Sequence, residues 1–301
     1  MRALQKVVRC DVGSWKRHVR IALLAMTAAL AAAFGSWFLA TGQQRNPPAA
    51  PPLTPKTVAT TPIAPEPPED AAKAPAEAPV DPQKLAELQD KLRQAPEYAA
   101  FFAQLQNLYP ADYDAAARRG LAQGIETHDN AADLFLTQAV QALRQNRGLM
   151  GARAGAEALD KLFDAHRQVL AQLAETDPAL CVDFLNGAPA ERFVAFAGAH
   201  RALMAAEAQA GLDAIDDGAR KKIDREAPTT EDFTELEKNL LAKGMDRAGV
   251  AQLLDGTTPN PPLTDAQQCR NGLIYLDSIK ALPDLQRLRL YALALEVMAH
   301  E

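Results

Sequence analysis

The sequence predicts an almost all-α protein, and three observations predict it. Alanine makes up about a fifth of the chain, and Leu, Gln, Arg and Glu, also good helix formers, are plentiful. Val, Ile, Tyr and Trp are scarce, which leaves strands little to build from. Beyond residue 80 the apolar residues recur three and four apart, the spacing of one helix face. The expected architecture is an N-terminal transmembrane helix (21–44), a disordered proline-rich linker (45–82) and a soluble helical body (83–301). That body is expected to hold about nine to eleven helices, as a bundle or an array of helical hairpins, with a possible division into halves at 187/188.

No Lys, Arg, Asp, Glu or His falls between Arg20 and Arg45. As a helix those 24 residues reach about 36 Å at ~1.5 Å per residue, against a bilayer core of about 30 Å. Trp15 precedes the run, and Trp37 and Phe38 sit near its far end, where amphipathic aromatics favour the interface. Residues 1–20 carry six basic side chains against Asp11, a balance of +5. Only Arg45 follows closely, so the first segment is expected in the cytoplasm, the span in an inner membrane and the body in the periplasm. A cleaved signal peptide is the rival reading, with Ala29-Leu30-Ala31 as the cleavage site. The apolar run continues through Trp37 and Leu39, longer than a usual signal core, and favours a retained anchor. Both readings export the body.

With a total of −6, the chain beyond residue 20 carries −11. An acidic body excludes nucleic acid as an expected partner, because phosphate contacts need a basic surface. Residues 41–82 hold twelve of the 21 prolines and almost no large apolar side chains. Neither helix nor core is expected there. Fully extended, such a tether reaches on the order of 130 Å at about 3.1 Å per residue, enough to carry a domain through an envelope layer such as peptidoglycan.

The body reads as a series of one-sided stripes. Helical character starts at Asp81. Tyr98, Phe101, Phe102, Leu105, Leu108 and Tyr109 mark one face, with Pro96 suited to its first turn. Ala132, Phe135, Leu136, Ala139, Val140 and Leu143 mark the next, behind cap candidates Asp129 and Asn130. Leu159, Leu162, Phe163, His166, Leu170 and Leu173 form a third. A short helix over 178–185 stops near Asn186-Gly187. Phe193, Phe196, Ala197, His200, Leu203 and Met204 form another, opened by Pro189 and expected to close near Gly211. The stretch 212–226 is a weaker helix. Phe233, Leu236 and Leu240 lead to a stop at Gly244, and Val250, Leu253 and Leu254 form a short element. Residues 256–262 read as a loop. Thr264 and Gln267 make a capping box ahead of Cys269, Leu273, Leu276 and Ile279. The last helix, from near Pro283, is apolar nearly all round over 290–299 and is expected in the middle of the bundle.

Few residues point to chemistry. Cys10 falls on the cytoplasmic side, while Cys181 and Cys269 are exported. The latter two are either buried thiols or, as an oxidising compartment favours, one disulfide tying the halves together. His166 and His200 sit on apolar stripes and are expected as buried, hydrogen-bonded core residues; His128 and His300 are expected in solvent. The cysteines and histidines lack the close pairing of zinc motifs, and no metal or cofactor is expected. Gly148, Gly151 and Gly155 are spaced wrongly for a dinucleotide loop and mark a helix junction instead. G-x-S-x-G, H-E-x-x-H and phosphate-loop patterns are missing. Arg220, Lys221, Lys222 and Arg225 form a basic patch, either a solvated face or a contact for an acidic partner.

These features predict a membrane-anchored, non-catalytic interaction protein of the bacterial envelope, partnered by another envelope protein or a peptidoglycan-associated one. Two alternatives are an enzyme acting on cell-wall material, which requires facing carboxylates in a cleft, and a carrier of an apolar ligand, which requires a large apolar cavity.

Overall fold

A computed structural model describes residues 81–187 and 191–299, so the expected membrane span and nearly all of the linker lie outside the described residues. Within them the chain is helical, without strands, and holds twelve α-helices rather than nine to eleven. No described helix is long and apolar enough to cross a membrane.

In order, the helices are α1 (Pro82–Arg93), α2 (Ala99–Leu108), α3 (Pro110–Ala122), α4 (Ala131–Gly151), α5 (Ala156–Thr176) and α6 (Pro178–Leu185). Then come α7 (Glu191–Ala199), α8 (Arg201–Lys221), α9 (Thr230–Ala242), α10 (Arg247–Asp255), α11 (Asp265–Lys280) and α12 (Asp284–Ala299). Local chemistry explains most boundaries. Asp81, Asp177 and Asp246 each accept a backbone N–H in the first turn of the helix they precede. Thr264 and Gln267 form the expected capping box, and Thr229 with Asp232 forms a second one. Gly256, at φ +66°, closes α10 in the left-handed conformation that glycine adopts without steric cost.

Two local expectations are corrected, and one helix is added. Asn130 precedes α4 but makes no side-chain cap hydrogen bond. The added helix spans 110–122, where Pro110 opens a new first turn after Tyr109 leaves helical geometry at φ −135° and ψ 60°. Its stripe is faint in sequence, since Ala116, Ala117 and Gly120 share the buried face with Tyr113 and Leu121. Gly211 does not stop a helix: α8 runs through it to Lys221, absorbing the stretch expected as a weak separate element. Burial of Leu212, Ala214 and Ile215 outweighs the roughly 1 kcal/mol helix penalty of one glycine.

Helices α4, α5 and α8 form the spine. Asp133 of α4 meets Arg201 at the start of α8, while Gly218, near the end of α8, packs on the last turn of α4, so the two run parallel. Helix α5 runs antiparallel to α8, joined by Gly155 to Asp217 at one end and His166 to Glu207 further along. On its other side α5 meets α11 through a two-pronged Arg167–Asp277 pair and through Lys280 to Asp164. Helices α1–α3 cover the start of α4, where Phe102 and Tyr113 pack on Phe135 with ring centroids 5.2 and 5.4 Å apart. One apolar core runs from Leu88 to Tyr291 and draws from both sides of 187/188.

The last helix is not central. Only Leu290, Tyr291 and Ala292 of α12 are buried, and Leu293, Leu295, Val297 and Met298 are half-buried. Tyr291 stacks on Phe163 at 3.7 Å, fixing one side of α12 on α5.

The α4–α8 crossing depends on Gly218. A Cβ there would collide with the carbonyl oxygen of Met150, a backbone atom that cannot swing away. At Gly211 a Cβ would meet nothing nearer than Leu162 at 3.9 Å. Gly218→Ala is therefore expected to destabilise by about 1–3 kcal/mol, and Gly211→Ala to be neutral or stabilising by up to ~1 kcal/mol. Thermal denaturation followed by circular dichroism checks the contrast, and equal midpoints for the two variants would refute it.

Candidate functional site: an apolar cleft in the helical spine

The stripes of α4, α5 and α8 face one another without filling the space between them. Leu136, Val140, Arg144 and Gly148 recur every four residues on α4 and so share one face. Met204, Ala208, Leu212 and Ile215, three or four apart, share a face of α8, and Leu162, Phe163 and His166 share one of α5. Phe184 and Leu185 of α6, Phe193 of α7, and Leu295 and Met298 of α12 complete the wall. The space between them is a partly open cleft of about 260 Å³, just below the usual range of small-molecule sites, about 300 to 1,000 Å³. Its existence traces to small residues at stripe positions: Gly148, Gly151 and Gly211 all line it. Gly148 also lets Ala299 of α12 approach so closely that a Cβ would stand 2.8 Å from it.

The polar groups in this wall are few. His166 donates from Nδ1 to Glu207 Oε1 at 2.8 Å, and both are partly buried. The imidazole stacks on Phe184 with centroids 4.9 Å apart. From Phe184 the ring contacts continue to Phe193, Phe196 and finally His200, at 5.5, 6.0 and 4.5 Å. The two sequence-predicted histidines thus stand at opposite ends of one aromatic ladder. Both are half-buried rather than buried, because each is at the margin of its stripe. Thr137 donates its hydroxyl to the Asp133 carbonyl at 2.9 Å and so adds little polarity. Arg144 is partly buried, and its Nε–H is sealed from solvent without an acceptor.

The other predicted residues fall outside this cleft. Cys181 and Cys269, both buried, are paired as a disulfide with Cα atoms 5.8 Å apart, within the range a disulfide requires. The bond joins α6 to α11, and through α6 it holds Phe184 and Leu185 at the cleft wall. The basic patch is dispersed into structural roles. Arg220 pairs with Asp216 at 3.0 Å and Lys221 with Asp217 at 3.0 Å. Arg225 donates to the carbonyls of Ala152 and Ala154, where burial pulls its guanidinium pKa down. Lys222 takes φ +51° as it ends α8. Burial pushes the Asp217 carboxyl up, but the Gly155 amide and Lys221 together hold it below the usual carboxylate range. Among the described residues no three His, Cys, Asp or Glu side chains are placed to hold one metal ion.

Sequence reading missed the cleft, Arg144 and Glu207. The available signal was the set of glycines at stripe positions, together with a last helix more apolar than a half-packed position requires. A polar cluster was also missed at the start of the α4–α8 crossing. There Asp133, 1% exposed, accepts from Tyr98 Oη at 2.8 Å and from Arg201 Nε and Nη2 at 3.0 and 2.9 Å. Comparison with protein-family models, curated proteins and solved structures finds no match for this chain.

Proposed function

We propose that the helical body is a binding protein that holds an apolar small molecule in the cleft between α4, α5 and α8. The observation that carries this reading is a space of about 260 Å³ walled by Leu, Val, Phe, Ile and Met, with only a few polar groups in place. An amphipathic or apolar ligand would bury the half-covered face of α12 as well as the stripes of the spine.

The reading keeps the expected layout, in which residues 1–44 anchor the chain and the proline-rich stretch presents the body beyond the membrane. The Cys181–Cys269 disulfide supports an oxidising compartment. A binding role is preferred to wall hydrolysis because Glu207, paired with His166, is the sole carboxylate among the described residues lining the cleft. A hydrolase of that type needs two carboxyl groups on opposite sides of the bond.

The test uses the full chain in lipid nanodiscs and 1-decanol carrying a diazirine near its tail. After irradiation, mass spectrometry is expected to map the label to Phe163, Leu212 and Met298. Gly211→Phe, which places a ring in the space beside Leu162, is expected to abolish that labelling while the fold is kept. Label spread over the outer faces of the helices, and indifferent to Gly211→Phe, would exclude the cleft as a binding site.

A further inference from the structure

We infer that the cleft selects an amphiphile with one oxyanionic head, carboxylate or phosphate, and that Arg144 holds that head. The apolar tail then lies against Phe163, Leu212 and Leu295. This rests on the cleft being a ligand site, and it adds the ligand's charge and the residue that reads it.

A guanidinium stays charged in proteins and presents a planar set of donors suited to carboxylate or phosphate. Arg147, Arg167, Arg201, Arg287 and Arg289 each face an Asp within 3.5 Å. Arg225 donates to two backbone carbonyls, and Arg118 is also engaged. Arg144 differs from these partly buried arginines. It lines the cleft, its Nε–H is shut off from water without an acceptor, and among the described residues it has no carboxylate partner. The Nε groups of Arg287 and Arg289 also lack an acceptor, but their guanidiniums still face Asp160 at 3.1 Å and Asp232 at 3.5 Å.

An unmet charged donor in an apolar wall is a standing cost that an arriving oxyanion removes. The other formal charge on the lining, Glu207, is already bound by His166 at 2.8 Å. Gln141 also lines the cleft with its amide free, but it is neutral, so among the described lining residues Arg144 is the charged group with bonding capacity left. A neutral head leaves that capacity mostly unused, and a cationic head is repelled by it.

The test is displacement of the diazirine probe from the full chain in lipid nanodiscs by four ten-carbon competitors: decanoate, decyl phosphate, 1-decanol and decyltrimethylammonium. Empty nanodiscs set the free concentration of each. The two oxyanions are expected to displace the probe at concentrations about ten- to a hundredfold below decanol, with the cation weakest. Arg144→Gln is expected to remove that advantage, bringing both oxyanions to the level of decanol, and Arg144→Lys to retain part of it. A preference for decanoate over decyl phosphate, or the reverse, identifies the head and supports the inference in either case. Decanol matching both oxyanions, or Arg144→Gln weakening all four alike, overturns the inference and leaves the apolar cleft standing as a binding site. Failure of every competitor to displace the probe overturns the cleft reading and this inference with it. Should Arg144→Gln not fold, the wild-type competitor series and Arg144→Lys still decide the matter.

Discussion

Replacing both Cys181 and Cys269 by serine, or reducing the bond between them, is expected to lower the unfolding free energy by about 4–5 kcal/mol. The figure follows from the separation of 88 residues, since closing a loop of that size restricts the unfolded chain. Residual structure in the unfolded state makes it an upper value. The native geometry gives the loss a definite location. Helix α6 has eight residues, too few to hold its shape alone, and the disulfide fixes it to α11. Both sulfurs are buried, and Leu180 beside them is 3% exposed, so the bond sits inside packed apolar surface. Urea denaturation of the full chain with and without reductant measures the effect. Coincident midpoints for the oxidised and reduced proteins would show that the bond contributes nothing. A second consequence is local: Phe184 and Leu185 reach the cleft wall from α6, so loosening that helix should weaken probe labelling before the body unfolds.

Asp133→Ala is expected to cost about 3–5 kcal/mol, because it removes the acceptor for three donors at once. Arg201 would keep its charge in a largely enclosed place, and Tyr98 Oη would lose its best acceptor. The Arg201 side chain is 28% exposed, so partial rehydration places the cost toward the lower end, near ~3 kcal/mol. Burial, reinforced by the hydrogen bond to Asp133, drives the Tyr98 phenol far above its ordinary range, so it remains a donor at any working pH. Asp133→Ala combined with Arg201→Met is expected to recover much of the loss, since the orphaned charge goes with its partner. Chemical denaturation of the two single variants and the double variant makes a complete cycle. If the double variant is as unstable as the sum of the singles, the three side chains do not act as a unit.

The helical character of the body was legible in residues such as Leu159, Phe163 and Leu173, whose spacing alone assigns them to one buried face. Turn and cap chemistry was legible where one side chain acts within its own first turn, as with Thr264 and Gln267. It failed at Gly211 because a stop signal of about 1 kcal/mol is weaker than the burial of the three apolar residues that follow. It failed at α3 because a face built on Ala116, Ala117 and Gly120 leaves almost no hydrophobic contrast to read.

By itself the chain determined which segments coil, which side of each turns inward, and that two cysteines were available to meet. Those are local properties, set by the 3.6-residue period and by backbone chemistry over a few neighbours. Only the tertiary structure decided that the spine leaves a cleft, that Arg144 enters it without a partner, and that Asp133 draws Tyr98 and Arg201 into one buried cluster. Such features depend on which faces meet and how closely, and side chains far apart in the chain, not its period, set that distance.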